Sequence, residues 1–136
     1  VFCSLRDADD DERVFILHRG RANFIVLNLY PYTSGHLLIV PYEHTPDLDA
    51  ASRETTDELM ELAKRCQTVL REVYQPHGFN LGMNLGRAAG AGVADHIHLH
   101  VMPRWAGDSN FMTTVAETRV LPEDLPTTYD KLRGKF

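Results

Sequence analysis

Residues 96–102 read His-Ile-His-Leu-His-Val-Met, an unbroken alternation of imidazole and apolar side chains. A period of two is the signature of a β-strand, whose successive side chains point to opposite faces. His96, His98 and His100 therefore share one face. Ile97, Leu99 and Val101 share the other, which is expected to lie on a core beneath a helix. The rest of the chain has to supply that core and the neighbouring strands.

Three earlier segments read as strands: Val14–His18, Phe24–Tyr30 and His36–Val40, the last ended by Pro41. The turns between them carry Gly20, and then Pro31, Ser34 and Gly35. Links this short predict antiparallel pairing. From Thr55 to Tyr74 the period changes, and Leu59, Leu62, Ala63, Cys66, Val69, Leu70, Val73 and Tyr74 recur at helical spacing. Thr55 with Glu58 fits a capping box at its start, and Pro76 with Gly78 stops it. Cys66 falls on the apolar face, as a packed thiol does. Residues 79–86 read as a fourth strand and 96–102 as the fifth, with Gly86, Gly90 and Gly92 in the loop between. Glycine-rich loops expose backbone N–H groups to phosphates, though most are simple turns. The polar tail 107–136, with Pro122 and Pro126, is expected to form a loop and a short helical turn. The order β-β-β-α-β-β predicts a single α+β domain over residues 1–136: an antiparallel sheet of about five strands, one long helix and a short C-terminal helical segment.

A formal net charge of −5 argues against nucleic-acid binding, which favours a basic excess. No apolar run approaches the roughly 20 residues of a membrane span, and no signal-peptide pattern opens the chain. Two cysteines, Cys3 and Cys66, make a disulfide framework improbable and suit a reducing cytoplasm.

Three readings compete for the histidine row. A solvated face that happens to be rich in histidine is improbable for so scarce a residue. A zinc site built from all three strains the geometry. At about 3.3 Å of rise per residue, the outer two α-carbons stand about 13 Å apart, so one metal takes two of them at most. The third reading is a groove for an extended anion, in which each imidazole meets a different phosphate oxygen and a neutral one serves as nucleophile. The spacing favours the third.

The segment "HIHLHVM" matches the histidine-triad pattern of the HIT superfamily of nucleotide hydrolases and transferases. "FIVLNLYPYTSGHLLIVPYEH" resembles the family's strand–turn–strand with its Gly-His, and "MNLGRAAG" its glycine-bearing strand and loop. "PRWAGDSNFM" is similar to the branch holding Fhit-like dinucleoside-polyphosphate hydrolases and bacterial diadenosine-tetraphosphate phosphorylases.

The resemblance implies that His98 attacks the α-phosphorus and becomes a transient nucleotidyl-histidine. It implies that His100 assists the leaving group, that His96 orients the nucleophile and that His36 lies beside the triad. Asn28 matches the position that holds the ribose hydroxyls, and it equally suits a strand-end asparagine closing a turn. Asn84 falls where Fhit-like hydrolases carry a glutamine near the bridging oxygen. Before His96 the chain has "AGAGVAD" where the family commonly has "AGQ", so a side-chain donor is lost. That departure leans toward the phosphorylases and hands phosphate binding to backbone N–H groups around Gly90, Gly92 and Val93.

The implied substrate is a dinucleoside polyphosphate, cleaved with water or phosphate as acceptor by a homodimer. No cofactor is expected in the chemistry, and a divalent cation only as a companion of the polyphosphate. "VFC" resembles the end of the Cys-x-x-Cys of many bacterial members, which makes Cys3, His44 and His96 three candidate zinc ligands. An unligated thiol and a surface histidine read equally well, since a structural zinc takes four ligands. Two rivals stand beside the nucleotidyl-transfer reading: a zinc-dependent metalloenzyme using triad histidines, and a non-catalytic nucleotide-binding protein.

Overall fold

The computed structural model describes residues 1–110, 115–116 and 123–136. Five strands, β1 (Ile16–Arg19), β2 (Asn23–Leu27), β3 (Leu37–Pro41), β4 (Gly78–Gly82) and β5 (Leu99–Arg104), form one sheet in the order β1-β2-β3-β5-β4. Every neighbouring pair is antiparallel. Among the described residues three α-helices accompany it: α1 (Phe2–Arg6), α2 (Arg53–Tyr74) and α3 (Leu125–Leu132). The α+β expectation holds, with five antiparallel strands and one long helix.

The two core layers follow from the strand sequences. β2 and β3 read as continuous apolar runs because both of their faces are covered. One face packs Ile25, Leu27, Leu37, Ile39, Leu99 and Val101 under the α2 stripe Leu59, Leu62, Ala63, Cys66, Val69 and Leu70. The other packs Phe24, Val26, Leu38 and Val40 against Ile16 and Phe2 of α1. Cys66 is fully buried and its thiol is pushed up to about 12 by burial, so it is a core residue.

Several boundaries differ from expectation. β1 starts at Ile16, not Val14, and runs to Arg19. β2 ends at Leu27 because Asn28 turns the chain, its Oδ1 accepting from Tyr30 N at 3.0 Å. β3 begins one residue late, and its final Pro41 sits at the strand end opposite Asn23. β4 covers Gly78–Gly82 and stops where its last partner, His100, lies near the start of β5. β5 begins at Leu99, so of the triad only His100 lies within the paired strand. Pro103 is tolerated inside β5 because β3 pairs no further along it than Val101.

Nor does Thr55 cap α2. The helix starts at Arg53, and Ser52 Oγ accepts from Thr55 N at 3.2 Å. Glu58 is drawn away to the β1–β2 turn, accepting from the backbone N–H groups of Arg21 (2.6 Å), Ala22 (2.9 Å) and Asn23 (2.8 Å). Burial alone pushes its carboxyl upward, but these bonds outweigh burial and hold it below the usual carboxylate value. Gly20 is required there, since a Cβ would come within 2.7 Å of Glu58 Oε1. The helix ends as expected, with Gln75 in a left-handed conformation followed by Pro76.

Sequence reading left α1 without an element, because five residues carry no period. Its C-terminal carbonyls are held by Arg19, which donates to Arg6 O at 2.8 Å and Ala8 O at 3.0 Å. In the tail, α3 supplies the helical segment, capped by Asp124. The rest of that reading, residues 111–114 and 117–122 with Pro122, lies outside the described residues.

Candidate active site

The histidines form a continuous row of rings. His36 and His100 have centroids 5.1 Å apart, and His100 and His98 lie 5.0 Å apart. Phe2 of α1 bridges to the third triad member, 4.9 Å from His98 and 5.4 Å from His96. His44 ends the row 5.0 Å from His96. At the opposite end Tyr32 stacks on His100 with an interplanar angle of 16°. His36, His96 and His98 are buried, and His100 is half-buried.

Backbone groups assign the proton on each ring. His98 Nδ1 lies 3.0 Å from the His96 carbonyl, so Nδ1 donates and Nε2 keeps its lone pair. His36 Nδ1 accepts from Tyr32 N–H at 3.1 Å, which puts its proton on Nε2. That Nε2 is 2.9 Å from His100 Nδ1 and donates to it, leaving the His100 proton on Nε2. His96 Nε2 donates to Pro41 O at 2.8 Å and leaves Nδ1 bare. Burial lowers the His100 pKa, and the neighbouring His98 lowers it further. His96 is also lowered, by burial above all, against the upward pull of the Pro41 carbonyl. Both shifts favour the neutral forms of His96 and His100, as their tautomers require.

His98 and His100 border a cavity of about 280 Å³. Asn28, Asn84, Gly90, Gly92 and Val93 all line it, so the residues proposed from sequence to touch a substrate converge there. Asn28 closes a turn with its Oδ1 while its Nδ2 lies 3.4 Å from the His36 ring. Asn84 Nδ2 donates to Gly90 O at 3.4 Å and tethers the glycine loop. Sequence reasoning missed the apolar lining: Val1, Phe2 and Leu5 of α1, Leu29, Tyr30 and Tyr32. These come from a short helix and a loop, where no sequence period marks them.

Behind the row is the one cluster of potential metal ligands found among the described residues. Cys3 Sγ lies 3.4 Å from His44 Nδ1 and 4.0 Å from His96 Nδ1, and the two nitrogens are 3.1 Å apart. Tetrahedral zinc, with bonds of 2.0–2.3 Å, holds such donors roughly 3.3–3.6 Å apart. The Cys3–His44 separation falls in that range and the other two lie within about 0.4 Å of it. Outside the cluster, Pro41 O fixes the far nitrogen of His96, and Asp95 Oδ2 faces that of His44 at 3.7 Å.

A ring nitrogen with a free lone pair on His98 and an N–H on His100 stand side by side on a cavity that a glycine-bearing loop helps to wall. The chain belongs to the HIT domain family, whose model matches residues 11–107. It is 43% identical over 118 residues to an AP-4-A phosphorylase of Mycobacterium tuberculosis, covering 87% of this chain and 60% of that protein. The chain thus spans about 60% of the length of that curated relative. A zinc-bound histidine triad family protein from Mycobacterium smegmatis superposes with a TM-score of 0.76 at 30% identity, over 98% of this chain and 90% of that one. A hypothetical histidine triad nucleotide-binding protein from Sulfolobus tokodaii superposes with a TM-score of 0.75 at 25% identity, over 98% and 89%.

Proposed function

We propose that this chain transfers a nucleotidyl group from a dinucleoside polyphosphate, such as diadenosine tetraphosphate or triphosphate, through a covalent intermediate on His98. The observation that carries the reading is the tautomer of His98, whose Nδ1 bond to the His96 carbonyl leaves Nε2 as a lone pair on a residue lining the cavity. Nε2 bonds to the α-phosphorus as the bond from that phosphorus to the bridging oxygen breaks. The His96 carbonyl stabilises the positive charge that then grows on the ring. The His100 Nε2–H hydrogen-bonds the departing oxygen and stabilises its charge. An acceptor then attacks phosphorus, the P–N bond breaks, and His98 returns as neutral imidazole. Asn28 would hold the ribose, Asn84 would lie near the bridging oxygen, and the backbone of Gly90, Gly92 and Val93 would meet the phosphates.

His100 offers no base for the second step, since its Nδ1 is occupied by His36 and its Nε2 is protonated. An acceptor that is already anionic suits such a site better than water, which favours inorganic phosphate. The likeness to the mycobacterial AP-4-A phosphorylase supports the same choice. Diadenosine tetraphosphate incubated with phosphate should give ADP and ATP. Turnover of equal rate without phosphate, giving AMP, would make the chain a hydrolase. Absence of turnover with every polyphosphate, alongside AMP binding, would leave only a nucleotide-binding protein.

Zinc on Cys3, His44 and His96 would supply a structural cross-link between α1, the segment after β3 and the segment before β5. Because that cluster engages His96 alone of the triad, the chemistry on His98 runs without the metal, against the metalloenzyme rival. Elemental analysis should find about one zinc per chain. A homodimer is supported by the open edge of β4, where Leu81 is 45% exposed. Light scattering at micromolar concentration should report two chains.

A further inference from the structure

Cys3 sits in the first turn of α1, between residues that wall the cavity. Val1, Phe2 and Leu5 line the space bordered by His98 and His100, and the Phe2 ring packs on both His96 and His98. Phe2 is 5% exposed, so it is seated and not a loose flap. The two ends of α1 are anchored differently. Its C-terminal end is gripped by Arg19 and by Arg6, which donates to Tyr42 O at 3.2 Å. From Val1–Cys3 the side-chain polar links to the rest of the described residues run through Cys3 Sγ, to His44 and His96.

We propose that metal bound by Cys3, His44 and His96 closes the nucleotide cavity by pinning the first turn of α1, so that metal and nucleotide bind cooperatively. The proposal rests on the nucleotide reading above. Metal ties Cys3 to the segment carrying His96 and so holds Phe2 against the His98 ring and Leu5 over the cavity. Without it, the first turn loses its tie to the segment carrying His96, the Phe2 wall opens to water, and the nucleoside loses apolar cover. Cys3 is thus a positioning residue for the nucleotide, acting through Phe2. Coupling between two ligands is reciprocal, so nucleotide must tighten metal by the factor by which metal tightens nucleotide.

The test uses adenosine 5′-monophosphate and zinc with the full chain. Calorimetric titration should show AMP binding about tenfold more weakly after zinc is stripped, a typical size for such coupling. Zinc affinity, measured by competition with a chelator, should rise by the same factor at saturating AMP. Phe2→Ala removes the wall but no ligand: it should still take up zinc, while the effect of zinc on AMP affinity falls below about twofold, as a broken link in a double-mutant cycle does. Should the stripped protein unfold, the competition experiment on folded protein decides alone. Equal AMP affinity with and without zinc, coupling undiminished in Phe2→Ala, or no zinc uptake at micromolar metal would each overturn the proposal. Failure of AMP to bind the zinc-loaded protein at millimolar concentration would instead sink the nucleotide reading and take this one with it.

Discussion

A main-chain oxygen two residues back fixes the His98 tautomer, and that makes the proposed site testable one residue at a time. Replacing His98 by Asn removes the lone pair that would bond to phosphorus while keeping a side chain of similar bulk. Turnover should vanish with AMP affinity nearly unchanged, and activity within tenfold of the parent would refute the nucleophile assignment. His36 donates to His100 Nδ1 and so keeps the His100 proton on Nε2, the nitrogen that meets the leaving group in the proposed reaction. His36→Ala should lower kcat by roughly 10–100-fold with little change in KM, because the loss is of a transition-state hydrogen bond. A rise in KM alone would show that His36 serves binding. The histidine row was legible in the sequence because alternation forces three rings onto one face. Phe2 and Tyr32 were not, because tertiary packing brings them to the ends and middle of that row from segments without a period.

Among the elements, α2 shows what a periodic pattern tells and what it omits. The apolar stripe from Leu59 to Leu70 packs on the sheet as its spacing predicts. Thr55 and Glu58 satisfy the capping-box pattern in the sequence, yet Ser52 caps the helix, because the fold spends Glu58 on the β1–β2 turn. Two substitutions separate these roles. Ser52→Ala removes one cap acceptor and should cost about 1 kcal/mol in urea denaturation. Glu58→Ala leaves three backbone N–H groups and the Asn23 amide without their acceptor in a buried turn. That should cost about 2–4 kcal/mol, well beyond an ordinary cap. Equal costs for the two would mean that water replaces the carboxylate. The late start of β5 has a similar cause: alternation fixes which face each histidine takes, but pairing with β3 stops at Ile39–Leu99, and the Ile97 N–H turns to Thr45 O instead.

Across the whole molecule, the strand order places β5 between β3 and β4, so the triad segment enters the sheet at an inner position, with Phe2 of α1 packed on the His96 and His98 rings. Burial of so many histidines ties stability to pH. His100 is lowered by burial and then by His98, and His36, His98 and Tyr32 are the groups around it. His18, in β1, is lowered by burial and then by Arg65. His96 is lowered in the same direction. In each case the unfolded chain, with its histidines near 6.5, takes up protons before the folded one does. The stabilisation is therefore complete above about pH 6.5 and is lost as pH falls through the lowered folded values. The carboxylates follow only in a lower window: Asp108, held at about 2 by its bond to Arg104, begins to lose its contribution as pH falls below the ordinary carboxylate value and has lost it once pH passes through about 2. Urea midpoints measured with chelator present, so that loss of metal cannot mimic the effect, should fall steadily from pH 7.5 to pH 5.5. His100→Gln should flatten that slope, because one proton-linked site is gone. A midpoint that stays level or rises over this interval would mean that the buried imidazoles are already charged in the folded protein, and the tautomers assigned to the triad would fall with it.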